Sequence, residues 1–185
     1  MKTSEVIENA FKEIVLNMPY GDITVKLICD RANVSRKTFY CHFQDKEDIV
    51  RSLFTKHVIE PFRGLDTIAG FLDNHQKESL KEKQLYEAIY AEREYYYALV
   101  KPIRGNDDTF LRVVTWLLYD FNIETMARHG FKLNDIEKDY IAYFFASSQA
   151  MLLQKWISDN MPLNAEDMSN LYLSLTSSYW HNLAI

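Results

Sequence analysis

Glycine and proline are scarce, at five and four in 185 residues. That excludes collagen-like and low-complexity chains and leaves few places where a helix is forced to stop. Cysteine is scarcer still: with only Cys29 and Cys41 there is no disulfide framework, and the two read as cytosolic thiols. The first residues, Met1-Lys2-Thr3-Ser4-Glu5, lack the apolar stretch of an export signal, and no apolar run approaches the roughly 18 residues of a membrane span. A cytoplasmic protein without membrane contact is expected. Also missing are a glycine-rich phosphate loop, a nucleophile elbow and a paired-carboxylate arrangement. Asp107 and Asp108 are adjacent, so they point in different directions, and no enzyme is expected. His42, His57, His75, His129 and His181 show no metal-ligand spacing, so neither a metal nor a cofactor is expected.

What the sequence has in quantity is apolar and aromatic side chains, 48% and 14% of the total. Their spacing is helical. Val6, Ile7, Ala10, Phe11, Ile14 and Val15 recur every three to four residues and make one apolar face. Pro19-Tyr20-Gly21-Asp22 breaks that helix. Thr24 is placed to cap a second, short helix ending near Ala32, Ser35 a third to about Cys41, and Asp45 a fourth, with Pro61 beyond it as a break or the entry to the next segment. Longer helices follow: one near 77–100 stopped by Pro102 and Gly105, one ending at Arg128-His129-Gly130, one opened by Asn134 and Glu137, and one opened by Asn164. No alternating strand pattern and no repeat is found. The fold class expected is all-α with about nine helices. A three-helix helix-turn-helix domain spans 1–53, and the helix from 45 links it to a helical body, 54–185.

The overall charge is −5 with a pI near 5.5, which argues against a general nucleic-acid binder. Its distribution says more. Residues 24–46 hold Lys26, Arg31, Arg36, Lys37 and Lys46 against only Asp30 and Asp45. A local basic patch on an acidic chain can grip phosphates while the remainder suppresses non-specific binding. The patch coincides with two short helices joined by Asn33-Val34, the pattern of a helix-turn-helix. Ile28, Ala32, Val34, Phe39 and Phe43 supply a small core, and Asn33 suits a left-handed link. Ser35, Arg36, Lys37 and Thr38 open the helix whose first turn enters the major groove in this motif.

From about Thr3 to Leu53 the chain resembles the DNA-binding domain of tetracycline-repressor (TetR) family regulators. Ala32, Val34-Ser35, Tyr40, His42-Phe43, Lys46 and Ile49 fall at the family's spacing, whereas Asn33 stands where a glycine is usual. The resemblance implies phosphate contacts from Tyr40, Lys46 and His42, and base or backbone contacts from Ser35, Arg36, Lys37 and Thr38, with Thr24 at the edge of the same face. It also implies a homodimer on double-stranded DNA, nucleoid-associated when bound, with a small-molecule effector possible and repression as the commoner mode. In the body, Glu94-Tyr95-Tyr96 and Trp156 to Pro162 look like the branch that includes a dihydroxyacetone-kinase regulator.

Two further groups have a functional and a packing reading. Tyr86, Tyr90, Arg93 and Tyr97 share a helix face and, with Phe110, Trp116 and Tyr119, would line a ligand pocket; otherwise they are helix packing. Ile141, Phe145, Ser148, Leu152 and Trp156, with Leu171, Tyr172, Leu175 and Tyr179, form stripes that suit a dimer interface of four helices; otherwise they are the chain's own core. The leading expectation is a dimeric, ligand-responsive transcriptional repressor on a palindromic operator. The alternative is a helical interaction module that acts through a partner protein without its own small molecule.

Overall fold

A computed structural model describes residues 2–68, 74–100, 107–129 and 132–183; the side chains of 66–68, 74, 75, 77, 78, 129 and 177–183 fall outside that description. Helix α1, Thr3–Asn17, buries Ile7, Ala10, Phe11, Ile14 and Val15 along one face. Pro19 leads into a tight turn, Tyr20–Asp22. Helix α2, Val25–Ala32, is capped by Thr24, whose hydroxyl accepts the Leu27 amide at 3.2 Å. It ends on Asn33 in the left-handed region, φ 53°, and the Val34 amide returns to the Cys29 carbonyl at 3.0 Å. Helix α3, Arg36–Tyr40, is only five residues long and is opened by Ser35, which accepts the Thr38 amide at 3.0 Å. Such a short helix is not stable alone; Phe39, fully buried with Ile28, Ala32 and Phe43 nearby in the core, pins it in place.

Helix α4, Lys46–Phe54, is capped by Asp45. It runs unbroken through a π turn, Thr55–Ile59, into α5, Glu60–Ile68. Of the two readings of Pro61, the structure has the entry and not the break: the proline is the second residue of α5. The wider turn just ahead of the proline, in which the Glu60 amide reaches five residues back to Thr55, spreads the carbonyls that the ring would strike. The boundary expected after Leu53 lies inside this continuous rod. The rod is tied to α1 at Glu8, a buried carboxylate that takes Lys56 Nζ at 2.6 and 2.8 Å and the Ser52 hydroxyl at 2.7 Å.

The body comprises α6, Asn74–Ala91; α7, Arg93–Val100; α8, Thr109–His129; α9, Asp135–Ser158; and α10, Ala165–Leu183. The single helix expected over 77–100 is divided at Glu92. There the amide bonds only three residues back, to Ile89, and the carboxylate turns to Lys12 of α1 at 2.6 Å. The long helices α8 and α9 pair along their length, and α10 lies on α6. Asn134 and Glu137 form the reciprocal cap that opens α9, and Asn164 caps α10 by accepting the Asp167 amide. Between them Asn160 and Met161 are both left-handed, and the Trp156 indole donates to the Leu163 carbonyl at 2.9 Å. The stops expected at Pro102, Gly105 and Gly130 lie outside the described residues. Taking α4 to α5 as one rod, the described residues form nine helices and no strand.

The left-handed link makes a direct test. Asn33→Gly should leave stability unchanged or raise it, whereas Asn33→Val should cost about 1–2 kcal/mol. Urea denaturation of the two variants beside the wild type measures both.

Candidate nucleic-acid interface

The sequence-predicted DNA-contact residues lie on the α2–α3 unit and the segment that follows it. Thr24, Ser35, Arg36, Lys37, Tyr40 and His42 are exposed, and Thr38 is half-buried. Ser35 and Thr38 are also structural: their hydroxyls share a hydrogen bond of 2.8 Å while Ser35 caps α3. Thr24 accepts a cap bond but keeps its hydroxyl proton to donate. Tyr40 is 58% exposed, its ring held edge-on against buried Phe39 at 5.4 Å. The backbone therefore fixes this phenol while its hydroxyl stays in solvent. Cys29 is buried beneath the face, which raises its thiol pKa, and Cys41 is exposed.

The basic patch is smaller than its composition implies. Arg31 is held by Glu13 of α1, with Nε 2.7 Å from the carboxylate. Lys46 is turned inward, a departure from its expected place on a phosphate. Its ammonium donates to the carbonyls of Tyr20 at 2.7 Å and Ile23 at 3.0 Å and sits 4.2 Å from the centre of the Tyr20 ring. The physical reason is the tight turn at 20–22, whose carbonyls have few other donors. Burial lowers the Lys46 pKa, and Asp107, Asp22 and Asp45 oppose that shift. Lys26, Arg36 and Lys37 are exposed and make no ion pair among the described residues.

The head is joined to the body where α4 meets α8. Phe54, Tyr96 and Phe110 pack edge to face with centroids 6.2–6.4 Å apart. Around this apolar contact lies a polar rim. Arg112 grips the Glu47 carboxylate with one nitrogen at 2.7 and 2.8 Å. Thr109 lies beside Tyr20, whose phenol pKa is raised by burial. None of Tyr20, Glu47, Thr109 and Arg112 stands out in the sequence as a site residue. Glu47 and Arg112 are 65 positions apart, and no local periodicity connects them.

The seven residues expected to line a pocket do not converge. Tyr86 is fully buried, edge-on to Trp156, with its hydroxyl beside Gln149, whose amide is instead donated to Glu82 at 2.8 Å. Tyr90 stacks on Trp156, and the Arg93 guanidinium lies 5.6 Å from the centre of the Tyr90 ring. Tyr97 is half-buried on α7, and Phe110 belongs to the head–body contact. Trp116 and Tyr119 lie on the far side of α8, beside Tyr143 and Asp139 of α9. A groove of about 310 Å³ does exist elsewhere. Thr55, Ile59 and Arg63 line it on the π-turn side, and Leu117, Asp120 and Glu124 on α8.

The stripe expected at a dimer interface also needs correction. Phe145, Trp156 and Tyr172 are buried in the chain's own core, and Ile141, Ser148 and Leu152 are half-buried. Leu171 and Leu175 are exposed, and the Tyr179 side chain lies outside the described residues. The outward apolar stripe of α9 is the neighbouring one: Ile136, Tyr140, Tyr143, Phe144 and Met151. Helix α9 is apolar on both sides, so periodicity could not tell its inner face from its outer one.

A small capped recognition helix, an exposed basic and phenolic face and a helical body define a helix-turn-helix transcriptional regulator. Comparisons with known proteins agree. Residues 18–53 match the family described as bacterial regulatory proteins, tetR family, and residues 79–178, more than half of the chain, match a transcriptional regulator C-terminal region. The chain belongs to the TetR family of transcriptional regulators. It is 25% identical over 148 residues to the dhaKLM operon transcriptional activator DhaS of Lactococcus lactis, covering 79% of this chain and 74% of that protein. The solved structure of a dihydroxyacetone kinase operon activator DhaS aligns over 98% of this chain and 96% of its own, with a TM-score of 0.52 and 19% identity. A TetR-family regulator from Syntrophomonas wolfei aligns over 96% and 94% with a TM-score of 0.69 and 17% identity. No described helix is long and apolar enough to cross a membrane.

The two lysines should part company in salt titrations of DNA binding. Lys37→Ala should lower the slope of log K against log salt by about 1, as the loss of one phosphate contact requires. Lys46→Ala should leave that slope unchanged and instead destabilise the fold by about 1.5 kcal/mol, the scale of a hydrogen bond from a charged group. Fluorescence anisotropy at several salt concentrations, with thermal melts, separates the two.

Proposed function

We propose that the chain is a homodimeric transcriptional regulator that holds a palindromic operator with two copies of the α2–α3 face. The observation that carries the dimer is the outward face of α9 and α10. Tyr140 is 71% exposed, Met151 61% and Leu175 55%. Tyr143 and Phe144 extend the α9 stripe, Trp116 of α8, its ring 6.0 Å from that of Tyr143, continues it, and Leu171 is exposed with Leu175 on α10. Large apolar side chains exposed in this number along two helices mark an interaction site. A two-fold pairing of α9 and α10 with their mates makes the four-helix contact in which identical stripes meet. Dimerisation also answers an energetic need, since one five-residue recognition helix has few base contacts and two linked heads multiply their affinities.

DNA contact in this reading comes from Arg36 and Lys37 at the start of α3. Tyr40, His42 and Thr24 serve the flanking phosphates, and Ser35 and Thr38 divide their hydroxyls between cap and DNA. Where the palindrome overlaps a promoter, the bound dimer blocks polymerase and acts as a repressor. The likeness to DhaS, named as an operon activator, supports activation from palindromes placed upstream. Responsiveness to a small molecule is supported by the groove between the π turn and α8. An occupant there touches Thr55 and Ile59 on the rod that carries the head.

Native mass spectrometry tests the dimer. The wild type should give twice the chain mass, and Met151→Asp with Leu175→Asp should give the chain mass while remaining helical. The same double variant should lose at least 100-fold in affinity for a palindrome and much less for a duplex with one half-site. A monomeric wild type that associates with another protein would instead favour the interaction-module reading.

A further inference from the structure

The dimer proposed above must present its two recognition helices at a fixed separation, about 34–36 Å for half-sites one DNA turn apart. Something in each chain has to fix the angle at which the head is carried. The candidates are the contacts between head and body. The Phe54–Tyr96–Phe110 cluster gives attraction, but apolar packing has little directional preference. Glu47 stands seven residues before Phe54, about 10 Å further along the helix axis at 1.5 Å per residue. A contact at that distance from the apolar pivot controls rotation about it.

Glu47 makes such a contact. Both its carboxylate oxygens lie within 2.8 Å of one Arg112 nitrogen, a charge-assisted contact that holds the two helices at a set distance there. Arg112 is itself braced, with Nε 3.6 Å from Asp108 in the same first turn of α8. On the head side, the neighbouring Lys46 is bonded to the 20–23 turn that leads into α2. The position of Arg112 is thus passed through Glu47 and Lys46 to the turn that seats the recognition unit. Other ties between head and body engage the head away from α4: Lys12 to Glu92 and Phe11 against Tyr95 hold α1, and Thr109 lies beside Tyr20 of the turn.

We propose that the Glu47–Arg112 pair is a positioning element that sets the half-site spacing the dimer accepts. This rests on the dimeric reading. Arg112 is 45% exposed and Glu47 25%, so the pair adds little to folding stability, and its role has to be read in spacing.

The test uses the full chain and a palindrome selected from random duplexes, together with versions carrying one base pair more or fewer between the half-sites. Each such change moves a half-site by about 3.4 Å and rotates it by about 35°. Wild type should bind the selected spacing at least tenfold more tightly than either altered one. Glu47→Gln and Arg112→Gln should each compress that ratio at least threefold, and the double variant should do no more than either single one. Arg112→Lys, which keeps the charge on a shorter and more flexible stem, should fall between. Affinity for a duplex with one half-site should change less than twofold among the variants. Ratios held within twofold of wild type would overturn the proposal. So would equal losses on the half-site duplex, which would reduce the pair to a support of the head's own fold. A wild type that selects no palindrome would overturn the dimeric reading and this proposal with it.

Discussion

The recognition helix has only five residues, and a helix of that length cannot hold itself in water. Its existence depends on the burial of Phe39. That ring is fully enclosed among α1, α2 and the chain after α3, and it leaves Tyr40 beside it in solvent. The caps at Thr24 and Ser35, the left-handed Asn33 and the small Ala32 all serve to bring α3 onto that one side chain. The face offered to DNA is therefore the outer surface of a core built from two short helices and a supporting third.

The rod from Lys46 to Ile68 extends this constraint to the rest of the molecule. Its first turn belongs to the head through Lys46, and its middle belongs to the body through Phe54. Between α1 and the rod, the buried Glu8 carboxylate is satisfied by Lys56 and Ser52. Removing Lys56 would leave an uncompensated buried charge, and removing Ser52 would leave a carboxylate oxygen short of a donor, so the contact ties head and rod together. The π turn at Thr55–Ile59 lies just beyond. It is a natural place for the rod to flex, because its hydrogen bonds are wider than those of an α-helix. A groove against α8 opens at the same point.

Much of this was legible in the sequence because it rests on local chemistry. The caps at Thr24, Ser35, Asp45, Asn134 and Asn164 each need only a short polar side chain ahead of a helical pattern, and the structure has each one. Asn33 announces its left-handed backbone by its type. What failed needed long-range information. Pro61 leaves a break and an entry to the next segment both open, and only the π turn before it decides for the entry. Phe145 and Trp156 have the right spacing for an interface, but Tyr140, Phe144 and Met151 have it equally, and only packing against α8 and α7 decides which stripe is inside. Lys46 reads as a free cation until the turn carbonyls 23 to 26 positions earlier come beside it. The Glu47–Arg112 pair has no local signature at all.

The central claim is that two heads, each carried on its own rod, read two halves of one site. Selection of bound duplexes from a random pool by the full chain near physiological salt tests it most directly. The account predicts enrichment of an inverted repeat whose half-sites lie about one DNA turn apart. Enrichment of a single unrepeated site by a folded, DNA-binding chain would contradict it.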